Sequence, residues 1–217
     1  MDLMARRRQI LASDSGGYVR SGLILWMDGI DKGSTSGAWT DKAVGHVFES
    51  INGFTNGANY VGLSRSSSQY FRNATYTGPA EKEPATIEVV ISDYLGSSMA
   101  FMPRGTSVAF GVMSSAKGAI WTSRDWATYA INFPAGSKLF SVNSDAVIVD
   151  GNRITTFGES EWWTGEDSYN YIGRRSTGTY FDGKIYSIRI YNRILTQDEM
   201  LRNQRIDNKR FGLGLTI

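Results

Sequence analysis

The chain has 217 residues, 41% of them hydrophobic and 12% aromatic, and a formal net charge of only +2. That length suits one large domain with a core of its own, and so weak a charge excludes a strong field for steering nucleic acid or a membrane. Cysteine is absent, which excludes disulfides, thiolate metal sites and a cysteine nucleophile.

Residues 1–20 read as a flexible N-terminal arm, charged and jointed at Ser13–Asp14–Ser15–Gly16–Gly17. Arg6–Arg7–Arg8 imitates the basic start of a signal peptide, but only Ile10–Leu11–Ala12 follows before Asp14. A signal needs roughly 7–15 apolar residues at that place. The expectation is therefore no signal peptide and synthesis in the cytoplasm. No segment is long enough to span a bilayer as a helix, so no membrane insertion is expected.

Residues 21–217 read as a single domain of short strands. Leu23–Met27 is an apolar run stopped by Asp28–Gly29, as in a strand buried on both faces. Further strands are expected at His46–Glu49, Asn59–Leu63, Gln69–Phe71 and Ala85–Ser92. The segments "SVAFGVM", "GAIWT" and "ATYAINF" follow at regular short spacing. Val147–Val149 and Arg153–Phe157 flank Asp150–Gly151, the dipeptide that supplies positive φ to a tight hairpin. "YNYIGRR" and Lys184–Tyr191 complete about a dozen strands. Abundant glycine (24) and scarce proline (4) agree with many glycine turns. In the last strand Tyr186, Ile188 and Ile190 are expected on one face, and Ile185, Ser187, Arg189 and Tyr191 on the other.

A helix follows it. Thr196 with Glu199 three residues on makes a capping box, Asp198 and Glu199 suit the positive end of the helix dipole, and Leu195 with Met200 can form the hydrophobic staple. This helix is expected to close an open end of a sandwich, with Met200 and Leu201 inward and Arg202, Gln204 and Arg205 in water. The basic run from Arg202 to Arg210 reads as solvated.

The stretch "FDGKIYSIRIYNRILTQDEM" (residues 181–200) resembles the C-terminal signature of concanavalin A-like jelly rolls of the laminin-G-like type. "GLILWMDGIDKG" with Trp39–Thr40–Asp41, "TIEVVIS", "IVDGNRIT" and "YNYIGRRS" are similar, in order, to other strands of those modules. The resemblance spans about residues 22–206. It implies an all-β, antiparallel two-sheet sandwich with a short C-terminal helix, and it does not imply one function.

Glucanases of that superfamily carry acidic residues alternating along one strand, so that two carboxylates stand close enough for glycoside chemistry. Here "TIEVVISDY" has one Glu88 inside its strand with Asp93 at the wrong parity, and Glu159, Glu161, Glu166 and Asp167 fall in a loop. The expectation is that the chain is not an enzyme, with a glycoside hydrolase the least favoured alternative. The single histidine, His46, has no nucleophile elbow near it. No cofactor is expected. Calcium stays open, because the resembled modules often bind it and Asp28, Asp31 and Asp41 could converge; turn chemistry alone also explains Asp28–Gly29.

Binding is the better prospect. Sugar sites set flat aromatic faces against the C–H face of a ring and add a few polar groups. Trp162 and Trp163 with Glu161 and Asp167 form one candidate, and Trp121 and Trp126 around Arg124 form the second. Ordinary core and rim packing is the plainer explanation of both segments, since six Trp in a large sandwich are not extraordinary. Trp26 and Trp39 are assigned to the core. The expected function is a non-catalytic module recognising a carbohydrate or a protein, with part of a phage or prophage tail or virion surface as its setting. A purely structural virion or assembly protein, homo-oligomeric through the arm, is the alternative. No nucleic-acid partner is expected.

Overall fold

The computed structural model describes residues 17–33, 37–76, 78, 84–95, 98–102, 109–114, 117–121, 127–154, 160–162, 170–176 and 179–217. The first third holds β1 (Leu23–Asp28), β2 (Ala38–Thr40), β3 (Val47–Ile51), β4 (Thr55–Asn56), β5 (Val61–Leu63) and β6 (Tyr70–Asn73). The middle holds β7 (Thr86–Ser92), β8 (Ser98–Met102), β9 (Ala109–Ser114), β10 (Lys117–Trp121), β11 (Ala127–Asn132) and β12 (Leu139–Asn143). β13 (Val147–Val149), β14 (Asn152–Ile154), β15 (Ser160–Trp162), β16 (Asn170–Ile172), β17 (Arg174–Ser176), β18 (Thr179–Tyr180) and β19 (Gly183–Tyr191) follow, and the helix α1 (Gln197–Phe211) ends the fold. Among the described residues no helix is long and apolar enough to cross a membrane.

The strands form an eight-stranded sheet in the order β14-β13-β12-β7-β19-β5-β4, with β1 also on β19, a nine-stranded sheet in the order β15-β11-β10-β9-β8-β16-β6-β3-β2, and a separate two-stranded ribbon, β17-β18. Among the described residues the strand pairings are antiparallel, as in β7 with β19 and β3 with β6. Alternation gives each sheet one apolar face, and the two apolar faces meet. Leu25, Met27, Val89, Phe140, Val142, Ile188 and Ile190 come from the first sheet, and Trp39, Phe48, Phe71, Phe110, Ile131 and Ile172 from the second. The expected two-sheet sandwich with one C-terminal helix is what the chain forms. The hairpin at Asp150–Gly151 also forms, with φ of 47° and 83° at those two residues.

Four details depart from the sequence reading. A β-bulge interrupts β19: Ile185 pairs with Ile91 and Ser187 with Val90, leaving Tyr186 as the extra residue. Ile185 therefore joins Ile188 and Ile190 in the core, while Tyr186 turns outward onto Phe211. Strict alternation could not foresee that change of parity.

The helix lies over the outer face of the eight-stranded sheet, against β12 and β13, rather than across an end of the sandwich. Its capping box forms as expected: Thr196 accepts from the Glu199 amide at 3.3 Å, and Glu199 accepts from the Thr196 amide at 2.9 Å. Leu195 and Met200 share one apolar cluster with Val19, Ile148 and Tyr191.

Gln204 is buried, not in water, and the run from Arg202 to Arg210 is helix with Asp207 buried inside it. The sheet beneath presents polar side chains there, and they need partners. Gln204 donates to Ser141 and to the Ile148 carbonyl, at 2.9 and 3.0 Å.

Trp26 is buried but stands outside the core. Its neighbours Leu25 and Met27 point inward, so Trp26 and Asp28 face out beside α1. Residues 1–16 of the expected arm lie outside the described residues. Tyr18 and Val19 are buried against α1: Tyr18 Oη donates to Asp207 at 2.7 Å, and the Val19 amide donates to Asn203 at 3.0 Å.

Candidate functional site

The outer face of the nine-stranded sheet carries the residues left over when the core ones turn inward. Phe48, Phe71 and Ile172 are core, so Val47, Glu49, Tyr70, Arg72 and Tyr171 face out. Glu49, Arg72 and Tyr171 stand in one row across β3, β6 and β16, with Arg72 Nε 3.6 Å from Glu49.

A cavity of about 300 Å³ opens beside this row, lined by Val47, Glu49, Arg72, Asn73, Ala74 and Thr75. Asn73 shapes its wall. Its Oδ1 accepts from the Thr75 and Tyr76 amides at 2.7 and 2.6 Å, which fixes the turn after β6. Its Nδ2 donates to the Val47 carbonyl at 2.7 Å and ties that turn to β3.

Next to the cavity three tyrosines cluster. Tyr70 lies 5.6 Å from Tyr171, edge to face, and 5.9 Å from Tyr180. The Arg174 guanidinium lies 4.9 Å from the Tyr70 ring centre and 4.6 Å from that of Tyr171, and it donates to Tyr70 Oη at 3.2 Å. Gly173 makes this placement possible. Its φ is +83°, and a Cβ there would meet Leu63 Cδ1 at 2.2 Å, so only glycine turns the chain from β16 into β17 at that point. The result is a packed tyrosine cluster beside a polar cavity: Tyr70 and Tyr171 are buried beneath the half-buried Tyr180 and Arg174, with a carboxylate, two guanidinium groups and amides at hand.

The segments singled out in the sequence meet at the far edge of the same sheet. β10, β11 and β15 are neighbours there, and the backbone sets Trp121, Thr128 and Glu161 in one row and Trp162 opposite Ala127. The row continues toward the tyrosines: Trp121 pairs with Ala109, next to the Phe101–Phe110 pair, and Met102, one residue on from Phe101, pairs with Tyr171. Arg124, Trp126, Trp163 and Asp167 lie outside the described residues. Sequence reasoning missed Tyr70, Arg72, Tyr171, Arg174 and Tyr180. The signal was present in "QYFRN" and "YNYIGRR", where large polar residues flank each core position.

Elsewhere the acidic residues have other work. Glu88 lies under α1, accepting from Arg189 Nε at 2.9 Å, Asn203 at 2.8 Å and Ser141 at 3.1 Å. Arg189 also holds Asp207, and all three charged groups are buried. Burial pushes the Glu88 carboxyl above its usual range although Arg189 pulls the other way. Burial does the same to the phenol of Tyr191, reinforced by the nearby Glu88.

Asp28 and Asp31 converge on the Lys42 ammonium, at 3.6 and 2.6 Å. Asp41 accepts from the amides of Trp26, Ala43 and Val44. Among the described residues no group of three or more His, Cys, Asp or Glu is placed to hold a metal. His46 stacks edge-on against Tyr76 at 5.0 Å.

A family model of the laminin G type, described as the concanavalin A-like lectin/glucanases superfamily, matches residues 65–200, over half of the chain. No curated protein sequence matches. Among solved structures, the chain is similar to a Trypanosoma rangeli sialidase in complex with 2,3-difluorosialic acid (covalent intermediate). The identity is 15% and the TM-score 0.56, over 86% of this chain and 33% of that one.

It is similar as well to the binding domain of botulinum neurotoxin DC, solved in complex with SialylT and, separately, with rat synaptotagmin II. Both matches have 10% identity and a TM-score of 0.56, and both cover 86% of this chain. They cover 51% and 52% of those chains. The chain thus spans about a third of the sialidase and about half of the toxin domain. Such likeness shows the fold alone. It also corrects the expectation that the chain is not an enzyme. Sialidases contain this fold as well as glycan-binding domains, so the missing acidic pattern in β7 does not determine enzymatic status.

Proposed function

The chain belongs to the concanavalin A-like lectin/glucanases superfamily, and we propose that within it this protein is a carbohydrate-recognition module. The observation that carries the reading is the outer face of the nine-stranded sheet, where Tyr70, Tyr171, Tyr180 and Arg174 adjoin the cavity between Glu49, Arg72 and Asn73. The half-buried Tyr180 offers an apolar ring surface to the C–H face of a sugar with a hydroxyl at the edge, and the buried Tyr70 and Tyr171 back it. Carboxylate, guanidinium and amide groups take sugar hydroxyls directionally. A cavity of about 300 Å³ has room for a group the size of one ring. In register, the row from Tyr171 continues to Trp121 and Glu161 toward β15, the direction in which a longer glycan would run. Binding of SialylT by a similar domain supports this reading.

The test is a glycan array probed with the full chain and with the Arg174→Ala, Tyr180→Ala and Trp121→Ala variants, each checked for retained β signal by circular dichroism. The expected result is binding to a defined glycan set, reduced in the first two variants and reduced for longer glycans in the third. An array without binding, or binding undiminished in all three, would contradict the reading.

A further inference from the structure

Two buried side-chain donors that lack a hydrogen-bond partner among the described residues, Trp26 Nε1 and Arg210 Nη1, fall at one place. That place is on the opposite sheet from the tyrosine face, where β1 meets the last turn of α1. Trp26 is only 5% exposed. Three cations surround its ring: Arg20 at 4.5 Å, Lys42 at 5.1 Å and Arg210 at 5.7 Å from the centre. The ring of Tyr18 closes a further side, edge-on at 5.3 Å.

The carboxylates present are already committed. Asp28 Oδ2 takes Arg210 Nη2 at 2.6 Å, Asp28 Oδ1 accepts from the Ile30 amide at 2.9 Å, and Asp31 holds Lys42 at 2.6 Å. Asp41 is committed as well, accepting from the Trp26 amide at 2.6 Å. Two buried donors are left over, inside a ring of three cations.

A buried donor without an acceptor costs about 1–3 kcal/mol, and an indole N–H and a guanidinium N–H can only donate. The missing partner must accept two hydrogen bonds and suit a rim of cations. A carboxylate does both, and its planar pair of oxygens suits a guanidinium edge. We propose that the Trp26–Arg210 corner binds the carboxylate of an exogenous ligand, with Arg210 Nη1 and Trp26 Nε1 as donors and Arg20 and Lys42 as a cationic rim. Lys42 is fixed for this role, because its amide donates to the Trp26 carbonyl at 2.8 Å. This site is separate from the proposed carbohydrate face and shares none of its residues.

The test is an acetate titration of the full chain at constant ionic strength. It is followed by the indole N–H resonance of Trp26, assigned with Trp26→Phe, and by backbone amide shifts along β1. Acetate is expected to shift these resonances saturably, and neutral acetamide is expected not to. Glucuronate and N-acetylglycine then distinguish an acidic sugar from a chain terminus as the source, the tighter of the two naming it. Trp26→Phe keeps an aromatic ring without the indole N–H, and Arg210→Lys keeps the charge without the guanidinium fork, so each should weaken acetate binding about tenfold, read at the amides. Equal shifts with acetamide, no saturable shift with acetate, or unchanged affinity in both variants would overturn the proposal and leave a bridging water as the partner.

Discussion

Under α1, one guanidinium faces two carboxylates in a layer closed to solvent: Arg189 between Glu88 and Asp207. With every group ionised the layer would carry one excess negative charge. Burial, opposed by Arg189 and reinforced by Asp207, raises the Glu88 carboxyl, while the two carboxylates hold the Arg189 guanidinium charged against its own burial. Glu88 thus binds its proton more tightly folded than unfolded. Its contribution to stability is full below the unfolded value of 4.5 and is lost as pH rises through the raised folded value.

Glu199 behaves in the opposite sense. The hydrogen bond from Arg193 lowers its carboxyl below 4.5, so its stabilisation is present above 4.5 and disappears as pH falls through the folded value. Stability measured by urea unfolding should therefore decline on both sides of a mildly acidic maximum. Glu88→Gln mimics the protonated form, keeps an acceptor for Arg189 and Asn203, and should flatten the alkaline side only. A Glu88→Gln curve that still falls on that side in parallel with the unsubstituted protein would contradict this account of the layer.

The connection from β16 to β17 rests on Gly173, where a positive φ coincides with a Cβ position already filled by Leu63. Gly173→Ala should destabilise the protein by about 2–4 kcal/mol, from the left-handed penalty and overpacking together, measured by thermal or urea unfolding. A change below about 0.5 kcal/mol would mean that the turn relaxes freely.

At this scale the sequence was informative where one face of an element is apolar. β1, β7, the Asp150–Gly151 hairpin and the Thr196–Glu199 cap were all legible, because each follows from local alternation or turn chemistry. β12 was not singled out. Its residues Ser141 and Asn143 face polar groups of α1 and the turn after β19, so "LFSVN" lacks the clean apolar pattern of a central strand. Gln204 was placed in water for the same reason: a helix that buries Asn203, Gln204 and Asp207 on a polar sheet face does not look amphipathic in sequence. The bulge at Tyr186 depends on pairing with β7, which no local pattern carries.

Across the whole molecule the two sheets divide their outer faces. The eight-stranded sheet is covered by α1 through a polar, charged layer, whereas the nine-stranded sheet and the β17–β18 ribbon beside it carry the tyrosines, Arg174 and a cavity. The family was readable from residues 181–200, because that segment builds the central strand and the cap together. The tyrosine face was not readable. Tyr70 comes from β6, about a hundred residues before Tyr171, Arg174 and Tyr180, and only the pairing of β6 with β16 brings it to them. The tryptophans favoured from sequence drew notice because they are adjacent and flanked by charge, and the backbone sets their segments at the edge of this same sheet.

The most direct check of the carbohydrate face is amide chemical-shift mapping with a glycan selected on the array. Shifts concentrated in β3, β6, β16 and the turn at Asn73–Thr75, with β12, β13 and α1 unmoved, are the predicted result. Shifts confined to the eight-stranded sheet or to α1 would contradict it.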